Sequence, residues 1–234
     1  MRKYNFNEHY FDIIDCQEKA YWLGFFAADG YNHVDKGCIE FRLHKQDKEI
    51  LEKFKSCIEA NNPIELYKQT YCNLTLYSQH LCNKLSEYGL SQAKTYTLQI
   101  PQLDYKLMRH FIRGYYDGDG CFSVTKRKDR TENSLIYQFN ITGMENPLRK
   151  MQEHLINNVG VVDNGLKHRK STIAVTIHYS GKDVCKRILD YLYQDATIYL
   201  QRKYNKYKEY CISAEQSAII KNLVNSGNIL RLEI

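Results

Sequence analysis

The sequence predicts an α+β protein made of two copies of one αββαββα unit, related by a pseudo-twofold axis. Three observations predict it. A short phrase occurs twice, Trp22-Leu23-Gly24-Phe25-Phe26-Ala27-Ala28-Asp29-Gly30 and Ile112-Arg113-Gly114-Tyr115-Tyr116-Asp117-Gly118-Asp119-Gly120, with the Asp-Gly ends 90 positions apart. The order of helical and alternating apolar patterns that follows the first copy recurs after the second. Between them, residues 91–105 carry Pro101 and read as a linker. A repeat of this size means repeated domains rather than a solenoid, with expected extents 1–98 and 99–234.

In the first unit, Glu18 to Asp29 has helical spacing. Tyr31 to Leu43 alternates around Lys36-Gly37, as a hairpin does. Lys48 to Ala60 places Ile50, Leu51, Phe54 and Ile58 on one helical face, and Asn61-Asn62-Pro63 ends it. Ile64 to Tyr67 and Leu74 to Tyr77 read as a second strand pair turning at Tyr71-Cys72-Asn73, followed by a helix from Gln79 to Tyr88 capped at Gly89. The second unit repeats this order. It reads as a helix from Leu107 to Asp119, strands Cys121 to Lys126 and Leu135 to Thr142, and a helix from Pro147 to Asn157. Strands Val159 to Leu166 and Thr172 to Tyr179 and a helix from Lys182 to Tyr193 complete it, and Ala214 to Val224 adds a last helix.

Composition narrows the function. No apolar run is long enough to span a membrane, and the amino terminus resembles neither a secretory signal nor a transit peptide. An intracellular protein of the cytoplasm or nucleoid is expected, with an organelle not ruled out. The eight cysteines form no Cys-x-x-Cys pair and read as reduced core residues. His33, His44 and His80 lie among them without zinc-finger or zinc-ribbon spacing. A net charge of +6 suits a polyanionic partner. The bases cluster at Lys126, Arg127, Lys128 and Arg130, at His168, Arg169 and Lys170, and at Arg202, Lys203, Lys206 and Lys208. Each cluster is otherwise a solvated turn.

Each phrase presents one carboxylate where a helix ends, with glycine expected in the left-handed cap conformation. If the helices pack through Gly24 and Gly114, Asp29 and Asp119 come together. Adjacent carboxylates are tolerable only with shared protons or bound cations, and hard divalent metal is the natural partner. The sheets leave one face free. The expected outward positions are Asn32, Glu40, Arg42, His44, Lys68, Gln69, Asn73, Thr75 and Ser78 in the first half. In the second they are Ser123, Thr125, Gln138, Asn140, Thr142, Lys167, Thr176 and His178. Such side chains can hydrogen-bond base edges or phosphates.

Tyr21 to Tyr31, Ile112 to Phe122 and the phrase Asp195-Ala196-Thr197-Ile198-Tyr199-Leu200-Gln201-Arg202-Lys203-Tyr204 together resemble the LAGLIDADG homing endonucleases in their single-chain, two-motif form. The resemblance covers nearly the whole chain. It implies saddle-shaped antiparallel sheets along the DNA major groove, motif helices at the domain interface, and divalent cation at Asp29 and Asp119. The backbone carbonyls of Ala28 and Gly118 are further candidate ligands. It also implies a basic residue near each scissile phosphate, at Lys94 and Lys203, with Lys45 a weaker candidate and Gly143 in its place in the second half. The first copy has Ala27 where the second has Asp117, a position of helix support rather than metal ligation.

The expected activity is metal-dependent, site-specific cleavage of double-stranded DNA by a monomer on a long asymmetric target. Mg²⁺ is the expected ion, with Mn²⁺ or Ca²⁺ substituting for binding. The alternatives are an RNA maturase that acts on intron RNA and a catalytically silent DNA-binding regulator. No intein signature is apparent, which favours a free-standing protein.

Overall fold

The computed structural model describes residues 3–91, 100, 102–126, 135–168 and 172–225, with 214–225 as backbone alone. Helix α1 (Gln17–Asp29) leads into strands β1 (Gly30–His33) and β2 (Cys38–His44), joined through Gly37 at φ +61°. Helix α2 (Lys48–Cys57), strands β3 (Glu65–Tyr67) and β4 (Tyr71–Tyr77) and helix α3 (Gln79–Glu87) complete the first unit. The second contains α4 (Tyr105–Asp119), β5 (Gly120–Lys126), β6 (Leu135–Gly143), α5 (Glu145–Val159), β7 (Lys167–His168), β8 (Val175–Ser180) and α6 (Lys182–Tyr193). Helix α7 (Gln201–Asn225) follows. Both sheets are antiparallel with the same order, β1-β2-β4-β3 and β5-β6-β8-β7. The twofold repetition expected from the phrases is therefore a repetition of topology.

Local chemistry accounts for the ends of these elements. Ser78 Oγ accepts from Leu81 N at the start of α3, and Asp104 accepts from Lys106 N at the start of α4. Gly160, at φ +68°, stops α5 and returns its N–H to Ile156 O. That stop is why residues 159–166, expected as a strand, instead form a helix end and an irregular segment, and β7 keeps two residues. The second turn of the first unit also differs from expectation. It falls at 68–70, where Lys68 and Gln69 take left-handed φ values of 48° and 55°, so Tyr71, Cys72 and Asn73 belong to β4. The last helix starts at Gln201, well before Ala214.

The core runs unbroken through both units. Trp22, Phe25, Phe26, Phe41 and Phe54 fill the first, and Phe111, Tyr116, Phe139, Ile177 and Ile188 the second. Fully burying side chains of this size contributes about 1.5–3 kcal/mol each. Helices α1 and α4 meet backbone to backbone. A Cβ on Gly24 would lie 2.0 Å from Phe111 O, and one on Gly114 would lie 1.9 Å from Tyr21 O. No other residue permits that approach. Among the described residues no helix is long and apolar enough to cross a membrane. All eight cysteines are free, but Cys121 is exposed on a sheet rather than in the core, because it pairs with Asn140 on the open side.

Candidate nucleic-acid and metal site

The close approach of α1 and α4 brings their carboxyl ends together. Asp29 and Asp119 are both exposed there. Asp29 Oδ2 lies 3.2 Å from where a Cβ on Gly118 would sit, so the two acids flank one small space. The glycines after them do not adopt the left-handed cap. Gly30 (φ −78°) and Gly120 (φ −88°) are extended and begin strands. They are small because a Cβ would strike Phe26 at 2.2 Å or Tyr116 at 2.1 Å. Each motif therefore turns directly from helix to strand and holds its carboxylate at the junction.

Lys203 lies beneath this junction, not on its surface. It is 7% exposed, and Nζ donates to the carbonyls of Tyr116 (2.6 Å), Gly118 (3.2 Å) and Gly120 (2.6 Å). Burial pulls its ammonium down to about 8, against the charges of Asp117, Asp29 and Asp119. A lysine so engaged ties down the carbonyls that end α4 and keeps its ammonium within reach of the charges of Asp29 and Asp119. The Gly118 carbonyl, a candidate ligand, already accepts from it. Gly143 does not stand where the first half has exposed Lys45: by strand register it matches buried Leu43, and a Cβ there would lie 2.3 Å from the Tyr115 hydroxyl.

Asp117 is fully buried and accepts from Tyr21 OH (2.9 Å), Tyr193 OH (2.7 Å) and Leu200 N (2.7 Å). Burial pushes its carboxyl above the usual range, although Lys203 and these donors work the other way. It locks the motif helices to α6 and to the segment before α7, in agreement with a support role.

The two open sheet faces extend from the junction. On the first, Glu40 pairs with Arg42 (2.8 Å), Arg42 lies over the Tyr67 ring at 4.6 Å, and His44 and Thr75 are outward as expected. Asn73 shares this face, while Lys68 and Gln69 sit at the exposed turn. Asn32 does not belong to this face. It pairs with Ile39 on the core side, is 1% exposed, and donates to Cys82 O and Leu90 O. Ser78 is likewise buried, capping α3 and donating to Glu8. On the second face, Ser123, Thr125, Gln138, Asn140, Thr142 and His178 alternate outward, and His178 Nδ1 meets Asn140 Oδ1 at 2.7 Å. Thr176 is on this face but only 6% exposed, bonded to Thr142, so its hydroxyl is spent within the sheet. Lys126 and Lys167 are exposed. Lys94, Arg127, Lys128 and Arg169 lie outside the described residues.

The first face also carries Tyr31, Tyr67, Tyr71 and Tyr77, each at least 40% exposed, which the sequence reading did not select. Strand parity would have found them, since residues 71, 73, 75 and 77 share one side. Placing the turn at 71–73 took Tyr71 out of its strand, and taking Asn32 and Ser78 as outward hid Tyr31 and Tyr77.

Residues 112–214 match the family described as LAGLIDADG endonuclease. Two proteins of Methanocaldococcus jannaschii are similar in sequence. A probable translation initiation factor IF-2 is 29% identical over 47% of this chain and 10% of its own length. A replication factor C small subunit is 29% identical over 44% of this chain and 6% of its own length. The chain thus spans a tenth or less of these relatives. Among solved structures, the I-SmaMI LAGLIDADG homing endonuclease bound to cleaved DNA is similar with TM-score 0.62 and 16% identity, covering 89% of this chain and 92% of that one. The I-AabMI LAGLIDADG meganuclease bound to uncleaved DNA is similar with TM-score 0.63 and 13% identity, over 85% and 90%. I-SmaMI bound to an uncleaved DNA target in the presence of calcium ions gives 0.60 and 15%, over 87% and 91%. The second motif and domain therefore lie inside the family match, and the whole described length shares the two-domain fold of these LAGLIDADG structures.

Proposed function

We propose that the protein is a site-specific double-strand DNA endonuclease that uses divalent metal and acts as a monomer inside the cell, with domains 1–98 and 99–234 each reading half of an asymmetric target. The observation that carries this reading is the pair of exposed carboxylates, Asp29 and Asp119, at the meeting ends of two helices that touch through their backbones. On either side lies an open four-stranded face.

An all-oxygen donor set suits a hard cation, and Mg²⁺ is the ion we infer, with Mn²⁺ or Ca²⁺ substituting for binding. Asp29 and Asp119 would hold it, with the carbonyls of Ala28 and Gly118 as further ligands. When bound, such ions stabilise attacking and leaving oxygens in phosphodiester hydrolysis and lower the pKa of a bound water. The chain's own contribution is placement. Lys203 holds the end of α4 so that Asp119 stays aligned, and Asp117 holds the helix pair rigid. Lys94 is proposed as the basic residue of the first half. The outward polar side chains and Lys45, Lys126, Arg127, Lys128, Lys167 and Arg169 bind the backbone and read base edges. DNA-bound structures of I-SmaMI and I-AabMI support the partner, and the I-SmaMI complex with calcium ions supports a hard cation. No observation favours the maturase or regulator readings.

The test is incubation of the purified protein with Mg²⁺ and a randomised double-stranded DNA library, followed by sequencing of cleaved ends. One asymmetric site is expected. Asp29→Asn or Asp119→Asn should lower cleavage by about 10³-fold or more while leaving binding intact. Full cleavage by either variant would overturn the assignment of the acids, and binding without cutting by the intact protein would overturn the nuclease.

A further inference from the structure

Away from the paired aspartates, one group of metal-ligating side chains converges among the described residues: His9, Asp12 and His80. They come from distant parts of the chain. His9 and Asp12 lie on the irregular segment before α1, and His80 lies in the first turn of α3. His9 Nδ1 is 2.7 Å from Asp12 Oδ2, and His80 Nε2 is 2.6 Å from Asp12 Oδ1. The imidazole rings are 4.4 Å apart and tilted by 53°, so both nitrogens aim at one carboxylate instead of the rings stacking flat.

The segment that carries two of these groups is held on both sides. Asn7 N donates to Ile58 O at 2.8 Å, Ser78 donates to Glu8 at 2.5 Å, and Tyr88 OH donates to Phe11 O at 3.0 Å. The three side chains therefore converge on a prearranged backbone and do not need a metal to gather them.

We propose that His9, Asp12 and His80 form a binding site for a transition-metal ion of the zinc class, which clasps the segment before α1 onto α3. Two imidazole nitrogens and one carboxylate oxygen suit Zn²⁺ and its borderline neighbours, whereas Mg²⁺ and Ca²⁺ prefer oxygen alone. Tetrahedral zinc at bonds of about 2.0–2.2 Å keeps its ligand atoms about 3.3 Å apart. The His–Asp pairs, at 2.7 and 2.6 Å, must open slightly, and any wider spacing, none beyond 4.8 Å, must close towards that value to admit the ion. Three protein ligands leave a fourth position for water. The ligand chemistry separates this site from Asp29 and Asp119, and its failure would leave the nuclease reading untouched.

The experiment takes the metal-free full-length chain, adds Zn²⁺ against excess Mg²⁺, and measures retained zinc after dialysis. One equivalent retained is expected, with a rise in Tm. His9→Ala and His80→Ala should each weaken retention by about 100-fold or more, since even outer partners of metal ligands are worth about 10–100-fold. The Asp29→Asn, Asp119→Asn double variant should retain zinc fully. In the unsubstituted chain, zinc should shift the imidazole resonances of His9 and His80, a reading that requires no variant to fold. No retained zinc, unchanged resonances, or loss confined to the aspartate double variant would each overturn the site.

Discussion

Asp117 and Ala27 hold equivalent places in the two phrases, and their surroundings differ as sharply as their chemistry. Around Asp117 the protein has buried a polar cluster with no counterpart among the described residues of the first unit. Arg113 is fully buried and donates to Ile198 O, Leu192 O and His110 Nδ1, while its guanidinium lies 5.3 Å from the Tyr21 ring. His110 accepts this bond only as a neutral ring. Burial, and then the charges of Arg113 and Arg109, push its pKa down to about 3 from an ordinary 6.5. The unfolded chain takes up the proton near 6.5, so between about 6.5 and 3 it binds more protons than the folded chain. His110 thus contributes nothing adverse above pH 6.5, and stability is lost as pH falls towards 3. His110→Asn should flatten this part of the pH dependence, as read from urea unfolding midpoints at pH 7 and pH 4. Equal pH dependence in both proteins would refute a neutral buried His110. The sequence offered no sign of this cluster, because Arg113 and His110 read as ordinary helix residues until α6 and the 198–200 segment close over them.

Helices α1 and α4 carry the acids, and their spacing is set by two glycines. The predicted test is Gly24→Ala or Gly114→Ala. The new methyl would meet backbone carbonyls at 2.0 or 1.9 Å, atoms that cannot swing away as a flexible side chain would. Overpacking of well-packed sites costs about 1–3 kcal/mol, and a backbone obstacle places these substitutions at or above the top of that range. Denaturant unfolding should show the loss, and cleavage should fall with it because the ends of the helices are forced apart. A neutral Gly24→Ala would disprove the close approach. The glycines at 30 and 120 teach a different lesson. Their presence was legible, but the reason was not, since the obstacle is an aromatic ring one turn back in each helix and not a left-handed φ.

The two halves share a topology and differ in surface, as the proposed reading of an asymmetric target requires. The first open face is rich in tyrosine, with Tyr31, Tyr67, Tyr71 and Tyr77 exposed, whereas the second presents hydroxyls, amides and His178. The halves are joined beyond the helix pair by Arg202 Nε, which donates to both oxygens of Asp47 at 3.0 and 3.1 Å, and by Thr197, which donates to Glu18 at 2.5 Å. With a formal charge of +6, binding of a polyanion should weaken steeply with salt. Lys126→Ala, at the exposed end of β5, should weaken binding similarly on all sequences and lower the slope of log affinity against log salt by about one. An unchanged slope would return Lys126 to the status of a solvated surface residue.

The repeated phrase, the αββαββα order and the pairing of Asp29 with Asp119 were readable from the chain alone, because helix periodicity, strand alternation and small residues at helix contacts are local signals. Side-chain direction in the strands was readable only where the turns were placed correctly. The turn misplaced from residues 68–70 took Tyr71 out of its strand, and an error in β1 turned Asn32 outward when it faces the core and so hid Tyr31. The inward placement of Lys203, the cluster around Asp117, and the meeting of His9, Asp12 and His80 depend on contacts between residues far apart in sequence. No periodicity encodes such contacts. They arise when packing of the apolar core brings distant segments together, and each buried polar group must then find a partner wherever the fold has left one.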